Sequence, residues 1–241
     1  MVSTELKKTV GQLVRQRPSR SRVFERLNID YCCGGQVSLL DACQVRDLDA
    51  DQVLEELLEC KETLDADDPL IDADAMSLTD LADHIQESHH GYLKGELPRL
   101  DQMTKKVAGV HGDKNPRLRE IRAEFVKLRE ELEPHLAKEE RIVFPMIRQL
   151  ESDGEGQQAG ENLLANPVEE LEHEHDRAGE ALAKLRELSD DFVPPEWACN
   201  TYRAMLDGLV QLEQDMHQHV HKENNVLFPK AKQLVSERSR P

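Results

Sequence analysis

One eleven-residue pattern occurs twice in this chain, as His135-Leu-Ala-Lys-Glu139-Glu-Arg-Ile-Val-Phe144-Pro145 and as His219-Val-His-Lys-Glu223-Asn-Asn-Val-Leu-Phe228-Pro229. His, Lys, Glu, Phe and Pro return at the same offsets in both copies. On a helix, residues four apart stand one above the other on one face. Each copy therefore aims an imidazole and a carboxylate at the same spot. The repeat continues upstream. His90 stands 85 residues before His175, and both are followed by leucines seven and ten residues on (Leu97 and Leu100, Leu182 and Leu185) and by a basic residue nine on (Arg99, Lys184). The chain reads as one helical hairpin made twice, an all-α four-helix bundle whose core brings together His90, His135, His175, His219, Glu139 and Glu223.

Four imidazoles and two carboxylates make six ligands, which narrows the metal. Zinc prefers a closed tetrahedral site, with thiolates where it is structural. Calcium and magnesium prefer oxygen. Two ions that share two bridging carboxylates, each with two imidazoles, suit iron best and manganese second. Such a site leaves coordination positions open to small molecules such as oxygen or nitric oxide.

Composition supports a helical protein with solvated outer faces: 33% of residues are charged and 4% aromatic. The net charge of −17 argues against nucleic acid and against anionic membrane surfaces as partners. No apolar run is long enough for a membrane helix, and the first residues lack the apolar core of a secretion signal. The five cysteines are unevenly spaced, with Cys32 and Cys33 adjacent, which is no disulfide framework and predicts a reducing cytoplasm.

Taken in order, residues 1–62 predict a small helical N-terminal domain. Its helical runs are Thr4 to Val14, a short one around Val23 to Ile29, Leu39 to Cys43, and Asp51 to Cys60. Gly34-Gly35 is expected to stop a helix and to supply positive φ. A unit of this size has a marginal core by itself. Residues 63–76 form an acidic, proline-broken linker. Residues 77–236 form the bundle. Its first helix starts at Ser77, in a capping-box sequence, and is kinked at Pro98. The second runs from Pro116 toward Leu150, bent by Pro134 and Pro145. The third starts near Pro167, and the fourth spans about Glu196 to Pro229. Residues 237–241 are a frayed tail. Cys43, Cys60 and Cys199 lie in helical patterns and are expected in the core.

The other histidines and acids fall outside the repeat. His89 has Glu174 at its matched position, and His173 has Ser88. His217 and His221 stand two residues either side of His219 and project away from it. His84 and His111 are expected as surface or satisfied residues; either could line an access route. Glu140, matched by Asn224, is expected outside the site. Glu131 and Glu174 are candidates for acceptors behind the ligands.

The bundle resembles the hemerythrins, and the whole combination resembles the Repair of Iron Centres family of bacterial di-iron proteins. The motifs that carry the resemblance are Asp30-Tyr-Cys-Cys-Gly-Gly35, His90 with Glu96-Leu-Pro98, His135 with Glu139 and Phe144-Pro145, Glu174-His-Asp-x-Ala-Gly179, and His219 with Glu223 through Pro229. They span about Leu13 to Ala231. The resemblance implies a hemerythrin-like up-down bundle holding two iron ions, with His90, His135, His175 and His219 as ligands and Glu139 and Glu223 as bridges. Oxygen-carrying hemerythrins use a fifth His and a differently spaced Asp, and that pattern does not carry over.

The function implied is repair of iron–sulfur clusters damaged by nitrosative or oxidative stress, with damaged iron–sulfur proteins as partners and iron as what is supplied. The alternatives are reduction of nitric oxide to nitrous oxide at the di-iron site, and oxygen or nitric oxide binding and sensing. Cys32 and Cys33 read either as a transient iron, nitrosyl or thiol-exchange site or as two small packed residues. A monomer and a homodimer are both compatible with the sequence.

Overall fold

A computed structural model describes residues 2–60, 71–152 and 161–238. Five short helices come first: α1 (Val2–Glu5), α2 (Val10–Gln16), α3 (Ser21–Arg26), α4 (Leu39–Val45) and α5 (Ala50–Glu59). Four long rods follow: α6 (78–111), α7 (117–152), α8 (Glu161–Leu188) and α9 (200–238). Among the described residues the only extended pairing is an isolated bridge between Thr9 and Ser38, and no helix is long and apolar enough to cross a membrane.

The core explains the direction of each rod. The rods bury two apolar clusters, one around Leu97, Phe125, Leu185 and Leu209, the other around Leu81, Phe144, Val168 and Phe228. Along α6 and α8 the chain meets the second cluster first; along α7 and α9 it meets the first cluster first. The rods therefore alternate up and down. In each rod one buried histidine lies where the first apolar stretch gives way to the second, within a residue of the boundary (Leu136 and Val220 of the first cluster follow His135 and His219), so a polar layer divides the core. Each buried Leu or Phe contributes about 1.5–3 kcal/mol, and that burial holds the polar layer in place.

The short helices bury a core of their own, including Val10, Leu13, Phe24, Tyr31, Leu39, Val53 and Leu57. Inside it the Arg20 guanidinium donates to the carbonyls of Leu13 and Leu57. Cys32, in contrast, packs into the bundle's cluster.

Several elements differ from the sequence reading. The helix expected over Thr4–Val14 breaks at Thr9, which caps α2 reciprocally with Gln12. Gly34 and Gly35 do not take left-handed φ; Asn28, at φ 53°, does so just after α3. The glycines serve a close approach instead. A Cβ at Gly11 or Gly35 would overlap the side chain of Asn225 from α9. Asn225 donates to the Cys32 carbonyl at 2.9 Å.

Ser77 caps α6 as expected, and Glu151 accepts from the amides of Leu78 and Thr79, both at 2.8 Å. The α8 rod begins at Glu161, six residues before Pro167, and buries Leu164. The α9 rod begins at Asn200, because Arg203 draws the carbonyls of Pro195, Glu196 and Ala198 to its guanidinium. It continues to Arg238, beyond Pro229 and into the expected tail, where Val235 is buried and Arg238 binds the Leu150 carbonyl. Most of the expected linker lies outside the described residues. Its end forms one 3-10 turn, Ala73–Ala75, held by Lys230 on the carbonyls of Asp74 and Met76.

Three π-turns interrupt the rods, at Ile85–His90, Glu139–Val143 and Glu223–Leu227. The last two fall at the same place in the repeat. The Phe144 and Phe228 amides donate five residues back, to the carbonyls of Glu139 and Glu223. The next residue in each case is proline, which has no N–H and whose ring crowds the carbonyl four residues back. Widening the turn by one residue relieves both problems and keeps the rod continuous. In α6 the irregularity likewise lies at Ile85–His90 rather than at Pro98, which stays inside a regular stretch.

Candidate metal centre

Glu139 and Glu223 are both fully buried, with His90, His135, His175 and His219 around them at 0–2% exposure. The six residues fall into two overlapping groups. One is His90, His219, Glu139 and Glu223; the other is His135, His175, Glu139 and Glu223. Within each group the ligand atoms lie within 4.8 Å of one another.

The pairing is atom by atom. Glu139 presents Oε2 to His90 Nε2 at 3.3 Å and Oε1 to His135 Nε2 at 3.2 Å. Glu223 presents Oε1 to His219 Nε2 at 3.2 Å and Oε2 to His175 Nε2 at 3.1 Å. Each carboxylate thus turns one oxygen to each group. Ligands about 2.1 Å from a common ion and at right angles are roughly 3 Å apart, which is the separation found here.

A burial argument tests the fit. Both oxygens of Glu139 and of Glu223, Nε2 of His90 and both ring nitrogens of His219 are buried without a hydrogen bond. Two such carboxylates carry a heavy desolvation cost unless cations compensate them. In the metal-free chain only protons on the imidazoles can do so. Burial and Glu223 push Glu139 up, but His135 and His90 outweigh them and hold it below the ordinary carboxylate range. Burial alone would lower His135, yet Glu139 and Glu174 push it up to about 10. Bound cations would answer the same need and would satisfy the orphaned atoms.

Behind these imidazoles stands a set of acceptors that repeats with the helices. Nδ1 of His90 meets Glu140 at 2.8 Å, and Nδ1 of His175 meets Asn224 at 2.8 Å. These two residues, expected outside the site because Glu and Asn do not match, both offer an oxygen there. They directly follow Glu139 and Glu223 and turn toward a neighbouring rod. Nδ1 of His135 meets Glu174 at 2.7 Å, and Lys138 closes on the same carboxylate at 2.8 Å. His135 and Lys138 hold the Glu174 carboxyl down at about 2. Glu131, the other candidate acceptor, instead faces Arg177 at 3.8 Å near the surface. The lysine at offset +3 of the repeat was the available clue to this layer.

The fourth acceptor position is occupied differently. The residue matching Glu174 is His89, and its ring stacks on His219 at 5.4 Å and 8°. His89 bonds Asp215 at 2.7 Å and Lys222 at 2.7 Å. His84 joins Lys222 at 3.1 Å and lines a cleft of about 780 Å³ with His89, Tyr92 and Asp215. His221 and His217 face the N-terminal domain: His221 donates to the Tyr31 carbonyl at 3.2 Å, and both rings lie edge-on to Tyr31. His173 is exposed, and His111 packs on Trp197 and Tyr202.

Of the cysteines, Cys43 is buried as expected, Cys60 is half-buried, and Cys199 is exposed. The α9 rod starts only at Asn200, which leaves Cys199 outside it as the cap. Asp30 shapes the Cys32-Cys33 loop by accepting from the amides of Cys32, Cys33 and Gly34 at 2.9–3.0 Å. The two sulfurs are 3.8 Å apart, and Cys33 Sγ lies 3.5 Å from the His175 carbonyl. The Cys33 thiol and burial together push the Cys32 thiol well above its ordinary value, which favours its protonated, unreactive form.

Fold and site together define a hemerythrin-like cation-binding bundle joined to a small helical N-terminal domain. Residues 81–231 match the hemerythrin HHE cation binding domain, and residues 6–61 match ScdA_N, described as a domain of unknown function (DUF542). Similar proteins carry both parts. The iron-sulfur cluster repair protein YtfE of Musicola paradisiaca is 37% identical over 225 residues, 93% of this chain and 96% of the relative. Its namesakes in Pectobacterium atrosepticum and Cronobacter sakazakii are 38% and 39% identical, over 92% of this chain and 96% and 95% of theirs. The chain belongs to this family of iron–sulfur cluster repair proteins.

Proposed function

We propose that this chain holds two iron ions in the polar layer and uses them to repair damaged iron–sulfur clusters, by supplying iron. One observation carries the reading: two fully buried carboxylates whose oxygens find no hydrogen bond face four buried imidazoles at 3.1–3.3 Å. One ion would take His90 and His219, the other His135 and His175, with Glu139 and Glu223 bridging. Bound ferrous iron supplies an exchangeable, redox-active cation with open positions. The chain's own residues do the rest. Glu140, Asn224 and Glu174 orient the imidazoles so that Nε2 points inward. The two apolar clusters exclude water above and below the layer.

Residues 1–62 and 77–236 work in this reading as two units, with 63–76 between them. The Cys32-Cys33 loop covers the bundle beside His175. The repair reading takes in both parts of the chain, as the relatives do, whereas nitric oxide reduction and gas sensing draw on the six ligands alone. Damaged iron–sulfur proteins in the cytoplasm are the partners it implies.

The test is metal content and repair together. Protein loaded without oxygen is expected to hold two irons per chain and to reactivate an enzyme whose iron–sulfur cluster nitric oxide has damaged. Glu139→Ala and Glu223→Ala variants are expected to lose both properties. Zinc in the polar layer, or iron-loaded protein that restores no cluster, would sink the reading.

A further inference from the structure

The repeat makes the two metal positions look equivalent, but the residues behind them are not. In the group of His135 and His175, both imidazoles donate from Nδ1, one to the Glu174 carboxylate and the other to the Asn224 carbonyl. In the group of His90 and His219, only His90 has such a partner, Glu140. Among the described residues nothing accepts from Nδ1 of His219. The reason is local. Lys138 grips Glu174, and at the matched place Lys222 grips His89. The arrangement is conserved between the two halves of the chain, but a ring has replaced the carboxylate, and it stacks on His219 instead of accepting from it.

An acceptor behind a ligating histidine fixes its ring and raises its basicity, and losing one weakens metal affinity about 10–100-fold. His89 touches His219 on one side and lines a cleft on the other, with His84, Tyr92, Asp215 and Lys222. Beside it Asp215 Oδ2 and the Tyr92 hydroxyl are buried without a partner, so this side of the layer is less fully satisfied than the side of Glu174.

We infer that the two irons are held unequally, and that the ion of His90 and His219 is the one given up while the ion of His135 and His175 stays. This inference rests on the di-iron reading above and adds which position is exchangeable. It makes His89 the residue that sets the difference, through His219.

The experiment uses full-length protein loaded anaerobically with two ferrous ions and mixed with excess of a chromogenic ferrous chelator. One iron per chain is expected in a fast phase and one in a phase roughly 10–100-fold slower. His89→Glu gives His219 the carboxylate that His135 has, and is expected to slow the fast phase and leave the slow one. Glu174→Ala is expected to speed the slow phase. A second pair of variants does not depend on position 89. The iron left in His219→Ala is expected to leave slowly, and that left in His135→Ala quickly. Two irons leaving at one rate, or a fast-leaving iron in His219→Ala, overturns the inference and leaves the di-iron reading standing. Fewer than two irons per chain in the unaltered protein overturns both.

Discussion

The imidazole of His135 is gripped from both ends: Nδ1 lies 2.7 Å from Glu174 and Nε2 lies 3.2 Å from Glu139. Glu139 comes from the same rod, one turn on, and Glu174 from the next rod. The ring therefore cannot turn without breaking a contact to one carboxylate or the other, and its proton is bound tightly as long as no cation replaces it.

The first prediction concerns that proton. The value of His135 is raised from 6.5 to about 10 in the folded, metal-free chain. A raised value means stability that is fully present below pH 6.5 and lost as pH rises through about 10. Metal-free protein is expected to show a lower denaturant midpoint at pH 10 than at pH 6.5. Ferrous iron must displace the same proton, so loading at pH 7 in weak buffer is expected to release protons, readable with an indicator dye. Loading without proton release would contradict the assignment.

Bound ions act only on the folded state. At about a thousand-fold excess over its dissociation constant, one ion adds roughly 4 kcal/mol, which is on the order of 8–16 °C in Tm for a chain of this size. Stripping the metal with a chelator is expected to lower Tm by at least that much in the unaltered protein. The Glu139→Ala, Glu223→Ala double variant is expected to show no chelator effect by calorimetry.

Asn225 fills the gap left by Gly11 and Gly35, and ties α9 to the Cys32 carbonyl. A leucine at 225 leaves that carbonyl and the one at Tyr31 without this donor, at a cost of about 1–3 kcal/mol. Gly35→Ala puts a methyl group where the Asn225 amide lies. Both variants are expected to loosen the N-terminal domain, seen as faster hydrogen exchange across residues 10–57. Unchanged exchange in both would show that the contact does not hold the domain.

Phe125 is fully buried at the centre of the first apolar cluster. Phe125→Ala is expected to cost about 3–5 kcal/mol, whereas Val45→Ser, at 82% exposure, is expected to stay within about 0.5 kcal/mol. Urea denaturation of the two variants checks both.

Much of the site was legible because its signal is local. His135 and Glu139 are one helical turn apart, as are His219 and Glu223, and helical geometry aims each pair wherever the rod lies. Matching the two copies then singled out His90 and His175. The positions that misled were those where local rules allow two outcomes. Gly35 can serve a positive φ or a close approach, and only the arrival of Asn225 selects the second. Glu140 and Asn224 differ as residue types, so the mismatch hid the fact that both supply an oxygen to a histidine of another rod.

The sequence by itself determined the helical class, the repeated hairpin, the placing of one histidine of the polar layer in each rod, and the six side chains that meet there. All of these follow from periodicity along one chain segment at a time. Only the tertiary structure decided which acceptor stands behind which histidine, that Glu131 faces away while Glu174 faces in, and that His219 is left with a stacked ring where its counterpart has a carboxylate. Those relationships join residues 39 to 133 positions apart. They depend on the rotation and axial offset of one rod against another, quantities that packing of the whole core sets and that no stretch of sequence carries alone.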